Sequence, residues 1–191
     1  MIDVLHDMIE RYGLVAVFVG CLAEGEGAAM FGGFFAHQHV FDAGWTVAAA
    51  FAGAFLGDTA LFMTGRRFAN HPVVFALRAR PGFSHAMGLV ERHPDLFILT
   101  SRFLYGLRLV GGIAAGLSSV TVGRFLVLNA ASALVWAALF VSLGYFFGAG
   151  AEQVSGGAFS HGERLALGAG LVVAVAALGL WFGLRLWNRP R

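Results

Sequence analysis

Five ionisable side chains of this 191-residue chain lie in stretches that are otherwise apolar: Glu24, Glu26, Asp58, Arg102 and Arg108. The two arginines stand six positions apart in LFILTSRFLYGLRLVGGIAAGLSSV, which runs from Leu96 to Val120. An arginine near the centre of a bilayer costs roughly 2.5–3.5 kcal/mol on insertion scales unless a partner, water or an anion receives it. The planar guanidinium fork matches phosphate oxygens, so the pair suits an anionic group held at depth. A carboxylate drawn into a low-dielectric setting keeps its proton to higher pH. The three acids are therefore candidates to take up protons and trade partners with the arginines. The same five residues would also serve, with no ligand at all, as buried salt bridges that dock one segment on another. The two uses are compatible, because an ion pair can open when a ligand arrives.

Composition places these residues in a membrane. The chain is 58% hydrophobic and 13% charged, about half the charge of a soluble domain. Phe125–Ala151 and Leu165–Leu184 are uncharged runs long enough to cross a bilayer core, and Ala43–Gly65 is interrupted only by Asp58. The acidic start, with Asp3, Asp7 and Glu10 ahead of the first apolar run, lacks the basic lead of a secretory signal. Cys21 stands alone, which excludes an intrachain disulfide and a cysteine-based metal site. The net charge of +2 gives no reason to expect nucleic acid.

The pattern predicts an all-α integral membrane protein of one domain, residues 1–191. Met1–Tyr12 reads as a short interfacial helix. Gly13–Phe41 holds Glu24 and Glu26 in a glycine-rich turn, AEGEGAAMFGG, between arms too short to span, so it reads as a re-entrant hairpin. A spanning helix over Gly44–Thr64 follows, then a polar loop at 66–95 rich in arginine and proline. Leu96–Val120 reads as a second re-entrant hairpin that turns at its glycines. A span from Arg124 to about Phe147 and a last span over about 164–187 complete the chain. A gapless shift of 79 residues aligns Gly32, Gly33, Gly44 and Gly65 with Gly111, Gly112, Gly123 and Gly144. The expected architecture is thus an inverted repeat of hairpin plus helix (about 13–68 and 96–147) with an added C-terminal span. The shift sets Glu24 and Glu26 opposite Phe103 and Tyr105, beside Arg102, so that one hairpin brings acid and the other base. Basic residues at 66–95 and at the C-terminus place both in the cytoplasm, with the N-terminus and the 150–163 loop outside.

Other chemistries find less support. His37 and His39 form an HxH pair with no acidic cluster nearby, and no metal or other cofactor is expected. Ser101, Ser118 and Ser119 lack the Gly-x-Ser-x-Gly elbow and partners of a hydrolase. No phosphate-binding P-loop occurs. The chain is not expected to be an enzyme. Gly53–Gly57, GAFLG, reads as a helix-packing face.

Four segments carry a family resemblance: LAEGEGAAMFGGFFAH, GAFLGDTALFMTGRRFA, RFLYGLRLVGGIAAG and NAASALVWAALFVSLGYFFG. Together they resemble the DedA family, also called VTT or SNARE-associated-like membrane proteins, from about Tyr12 to the final span. In that family an acid of the first hairpin, the Asp of a Gly-Asp motif and two arginines six apart are the functional residues. They fall here on Glu24 or Glu26, Asp58, Arg102 and Arg108. The chain departs from the usual pattern in having no proline before Glu24-Gly25-Glu26, Phe62 where a tyrosine is common, and Val110-Gly111-Gly112 where a proline is common. The resemblance implies an inner-membrane, multi-pass flippase or scramblase. Its substrate would be a phosphate-bearing lipid such as undecaprenyl phosphate or a phospholipid, and transport would be linked to the proton-motive force. Its partners would be that lipid's headgroup, bound by Arg102 and Arg108, and protons taken up at Glu24, Glu26 and Asp58. A proton-coupled small-solute or ion antiporter, and a scaffold whose charges only dock its hairpins, are the alternatives.

Overall fold

The computed structural model describes residues 2–23, 25–69, 71–78, 81–103 and 107–155. These form eight α-helices: α1 (Ile2–Ala23), α2 (Glu26–His37), α3 (Ala43–Arg67), α4 (Pro72–Arg78), α5 (Pro81–Arg92), α6 (Pro94–Thr100), α7 (Leu107–Leu117) and α8 (Val122–Ser155). A 3-10 turn, Ser101–Phe103, follows α6. The all-α fold is as expected, and α3 and α8 are long and apolar enough to cross a membrane. Val127, Leu134, Val135, Leu139, Leu143 and Phe146 of α8 are exposed, which suits a helix solvated by lipid rather than water. The expected span at about 164–187 lies outside the described residues.

Local chemistry explains the boundaries. Asp42 caps α3, its Oδ1 accepting from the Trp45 amide at 2.9 Å while its carbonyl accepts from the Thr46 hydroxyl at 2.7 Å. The separate N-terminal helix expected up to Tyr12 does not form as such, because α1 continues unbroken from Ile2 to Ala23. Between α1 and α2, Gly25, at φ 25°, donates its amide back to the Gly20 carbonyl at 3.1 Å. Such a bond, six residues closing on one, ends a helix at a position that favours glycine.

The second hairpin corrects part of a sequence reading. Gly111, Gly112 and Gly116 lie inside α7, whereas Gly106, the remaining glycine expected at the turn, lies outside the described residues. Arg102 is carried by a 3-10 turn. The glycines inside α7 serve close packing. A Cβ on Gly112 would sit 2.9 Å from the Leu61 Cβ, and one on Gly116 would sit 2.1 Å from the Phe62 carbonyl oxygen.

The described residues form two compact units, 2–54 with 137–155, and 55–136. In the first, α1 and α2 pack together with the start of α3 and the end of α8. Gly53 backs onto the Phe18 carbonyl, Gly33 onto that of Val141, and Gly144 onto that of Met30. Phe34, Ala50 and Cys21 are buried there. The second unit joins the end of α3 and the start of α8 to α4–α7. Its core includes Phe62, Val90, Phe97, Ile113 and Phe125, with Phe62 stacked on Phe125 at 4.0 Å. The polar loop at 66–95 is more than a solvated connector, since α5 buries Phe83, Ala86 and Val90 in this core. Arg66 closes the end of α7, donating to the carbonyls of Ser118 (3.1 Å) and Val120 while its guanidinium covers the Phe62 ring. A cation at a helix C-terminus meets the negative end of the helix dipole.

Candidate functional site

The second unit gathers three of the five expected residues. Asp58 stands on α3, Arg102 in the 3-10 turn and Arg108 at the start of α7. The Asp58 carboxylate is shared. Its Oδ2 accepts from Arg102 NH2 at 2.5 Å and its Oδ1 from Arg108 Nε at 3.0 Å. The Arg102 side chain is 3% exposed and that of Arg108 14%. Charge-assisted bonds of this kind are about twice as strong as neutral ones, and burial raises what is lost when one partner is removed.

Two residues of α8 complete the setting, and neither was singled out from the sequence. Asn129 Oδ1 accepts from Arg102 NH2 at 2.8 Å, while its Nδ2 donates to the Phe55 carbonyl at 3.1 Å and to Thr59 Oγ1 at 3.2 Å. Trp136, 1% exposed, lies with its ring centroid 5.8 Å from the Arg102 guanidinium carbon and 5.9 Å from that of Arg108. An indole face attracts cations electrostatically. Position 136 is seven residues beyond 129, two helical turns along one face. Between them Ser132 donates to the Leu99 carbonyl at 2.9 Å, tying this face to the last turn of α6. A lone amide in an apolar span is a signal the sequence does offer. Its partners come from segments 27 and more residues away, so the pattern alone could not assign them.

Beside the cluster is a narrow crevice. Asp58, Ser101, Arg108 and Asn129 line its polar side, and Phe97 and Phe125 its apolar side. Arg108 faces this space directly, while Arg102 is packed behind the shared carboxylate.

The remaining candidates belong to other elements. Glu26 opens α2 in the first unit, where a helix N-terminus favours a carboxylate. Glu24 lies outside the described residues. The acid that meets the arginines within the second unit is Asp58. His37 sits edge-on to Tyr145 at 4.8 Å, and the Ser118 hydroxyl donates to the Ala115 carbonyl at 2.7 Å in the turn that ends α7. At the polar margin Arg124 grips Asp95 through two bonds of 2.7 Å. Those hydrogen bonds hold the Asp95 carboxyl below the usual carboxylate range.

Comparison with known proteins places this architecture. The VTT domain matches residues 23–146. The inner membrane protein YohD of Escherichia coli K12 is 32% identical over 187 residues, covering 98% of this chain and 94% of that protein. The uncharacterized membrane protein slr0232 of Synechocystis is 32% identical over 161 residues, covering 77% of this chain and 72% of that protein. No solved structure matches. The domain match takes in Asp58, both arginines, Asn129 and Trp136, and with a relative aligned almost end to end the chain belongs to the VTT-domain, or DedA, family of membrane proteins.

Proposed function

We propose that this protein moves a phosphate-bearing lipid, such as undecaprenyl phosphate or a phospholipid, between the leaflets of the inner membrane. The carrying observation is the one carboxylate shared by a buried arginine, Arg102, and a partly buried one, Arg108. Guanidinium forks that hold a carboxylate in this way suit a phosphate as well, and a lipid phosphate supplies one while its chains stay in the bilayer. Arg108, on the crevice, makes the first contact. Arg102 joins as Asp58 is drawn off or protonated. Glu24, Glu26 and Asp58 couple the exchange to the proton gradient.

The inverted-repeat arrangement belongs to the same reading. Gly65 of the first repeat packs on Ile113 of the second, and Gly144 of the second packs on Met30 of the first. Each repeat thus lends its long helix to the other's hairpin, which supports two similar halves working as one carrier. The C-terminus and the 66–95 loop would face the cytoplasm.

Purified protein in proteoliposomes tests the reading directly. Movement of undecaprenyl phosphate and of labelled phosphatidylethanolamine would be followed with and without a pH gradient, in wild type and Arg102→Ala. Movement of at least one lipid should fall tenfold or more in the variant. Equal movement by a folded Arg102→Ala protein would rule the mechanism out. Proton flux driven by a soluble anion, with no lipid movement, would assign the site to small-solute antiport.

A further inference from the structure

The hydroxyls inside these helices are engaged by the backbone, with one exception. Among the described residues, the partly or fully buried Thr46, Thr59, Thr64, Ser118 and Ser132 each donate to a backbone carbonyl. That is the ordinary outcome where water is scarce, since a hydroxyl left without a partner in an apolar setting is costly. Ser101 departs from it. It is partly buried, yet its hydroxyl meets no hydrogen-bond partner among the described residues. The carbonyl four residues back, that of Phe97, accepts from the Ser101 amide.

Ser101 also stands where a ligand would arrive. It lines the crevice with Asp58, Arg108 and Asn129. A Cβ on Gly111, another residue of the crevice wall, would sit 3.5 Å from the Ser101 Cβ, so the serine side chain is on the crevice side of the 3-10 turn. The bare Gly111 keeps that space open, for an added methyl would come within 3.1 Å of the Phe97 ring. The other polar groups here have protein partners: Asp58 accepts from both arginines, and the Asn129 amide is bonded at its oxygen and its nitrogen. A hydroxyl turns freely to donate, and an ionised phosphate oxygen accepts. Such a bond, to a charged acceptor, is stronger than one between neutral groups. We infer that Ser101 is a ligand-contact residue whose hydroxyl donates to the phosphate held in this crevice beside Arg108. The inference rests on the phosphate reading above and adds a contact that carries no charge of its own.

The test uses the full chain in micelles of dodecyl maltoside, which carry no phosphate, with radiolabelled dodecyl phosphate and inorganic phosphate as probes. Ser101→Ala should weaken dodecyl phosphate binding roughly ten- to a hundredfold, the range of one hydrogen bond to a charged group. Ser101→Cys keeps the volume but offers only a weak donor, and should lose nearly as much. Without probe, both variants should melt as wild type does, because no group of the protein loses a partner. Ser132→Ala, which strips a bonded hydroxyl, should melt lower. Serine-dependent binding of dodecyl phosphate alone would place the phosphate on a lipid. Serine-dependent binding of inorganic phosphate as well would extend the contact to free phosphate, and either result upholds it. Wild-type affinity in Ser101→Ala or in Ser101→Cys would overturn the inference. So would a probe-free melting temperature lowered as far as in Ser132→Ala, or failure of both variants to fold, since the hydroxyl would then be structural. Wild type that binds neither probe better than Arg102→Ala would instead remove the phosphate reading beneath it.

Discussion

Asp58 presents each carboxylate oxygen to a different arginine, and the geometry gives a direct measure of how much the cluster depends on it. Asp58→Asn keeps the shape and one acceptor oxygen but removes a negative charge from beside the buried Arg102 and the partly buried Arg108. Breaking a buried pair by removing one partner costs about 3–5 kcal/mol. Chemical denaturation in detergent should therefore show a loss in that range for Asp58→Asn. A loss below about 1 kcal/mol would mean that water or another acid satisfies the arginines. The types and spacing of Asp58, Arg102 and Arg108 were legible in the sequence, because charge in an apolar run is conspicuous. The roles of Asn129 and Trp136 were not. An amide and an indole are unremarkable in a membrane helix until their neighbours are known.

At the scale of elements, close approach explains the glycines of α7 better than flexibility does. Gly112 and Gly116 let α7 lie against α3 with backbones nearly touching. Without a hydrophobic force between helices in lipid, such packing is a main source of association. Gly116→Ala would drive its Cβ onto the Phe62 carbonyl at 2.1 Å, and overpacking of this sort costs about 1–3 kcal/mol. Gly88, inside α5, has no atom within 4 Å of the Cβ it would gain. There, Gly88→Ala should stabilise by up to about 1 kcal/mol through helix propensity. Melting temperatures of the two variants should move in opposite directions. A shared sign would show that propensity, not contact, governs α7.

For the whole molecule, the division into units cuts across the order of the chain. Among the described residues one unit takes 2–54 and 137–155, the other 55–136, so a break near residue 79 leaves neither fragment with a complete unit. Fragments 1–79 and 80–191 should each fail to accumulate in membranes when expressed alone, and should recover when expressed together, as read by immunoblot. Stable accumulation of either fragment alone would show that it folds without the other. The sequence by itself determined that this is a helical membrane protein of the VTT family, with acids and arginines placed where lipid would otherwise be. Hydropathy, charge and motif spacing are local quantities, and they survive in one dimension. The tertiary structure decided that Asp58 meets both arginines, that the glycines inside α7 pack rather than bend, and that α8 supplies an amide and an indole to orient the arginines. Those outcomes depend on which helical faces meet across tens of residues, and side-chain complementarity at the crossings, rather than any local pattern, selects them.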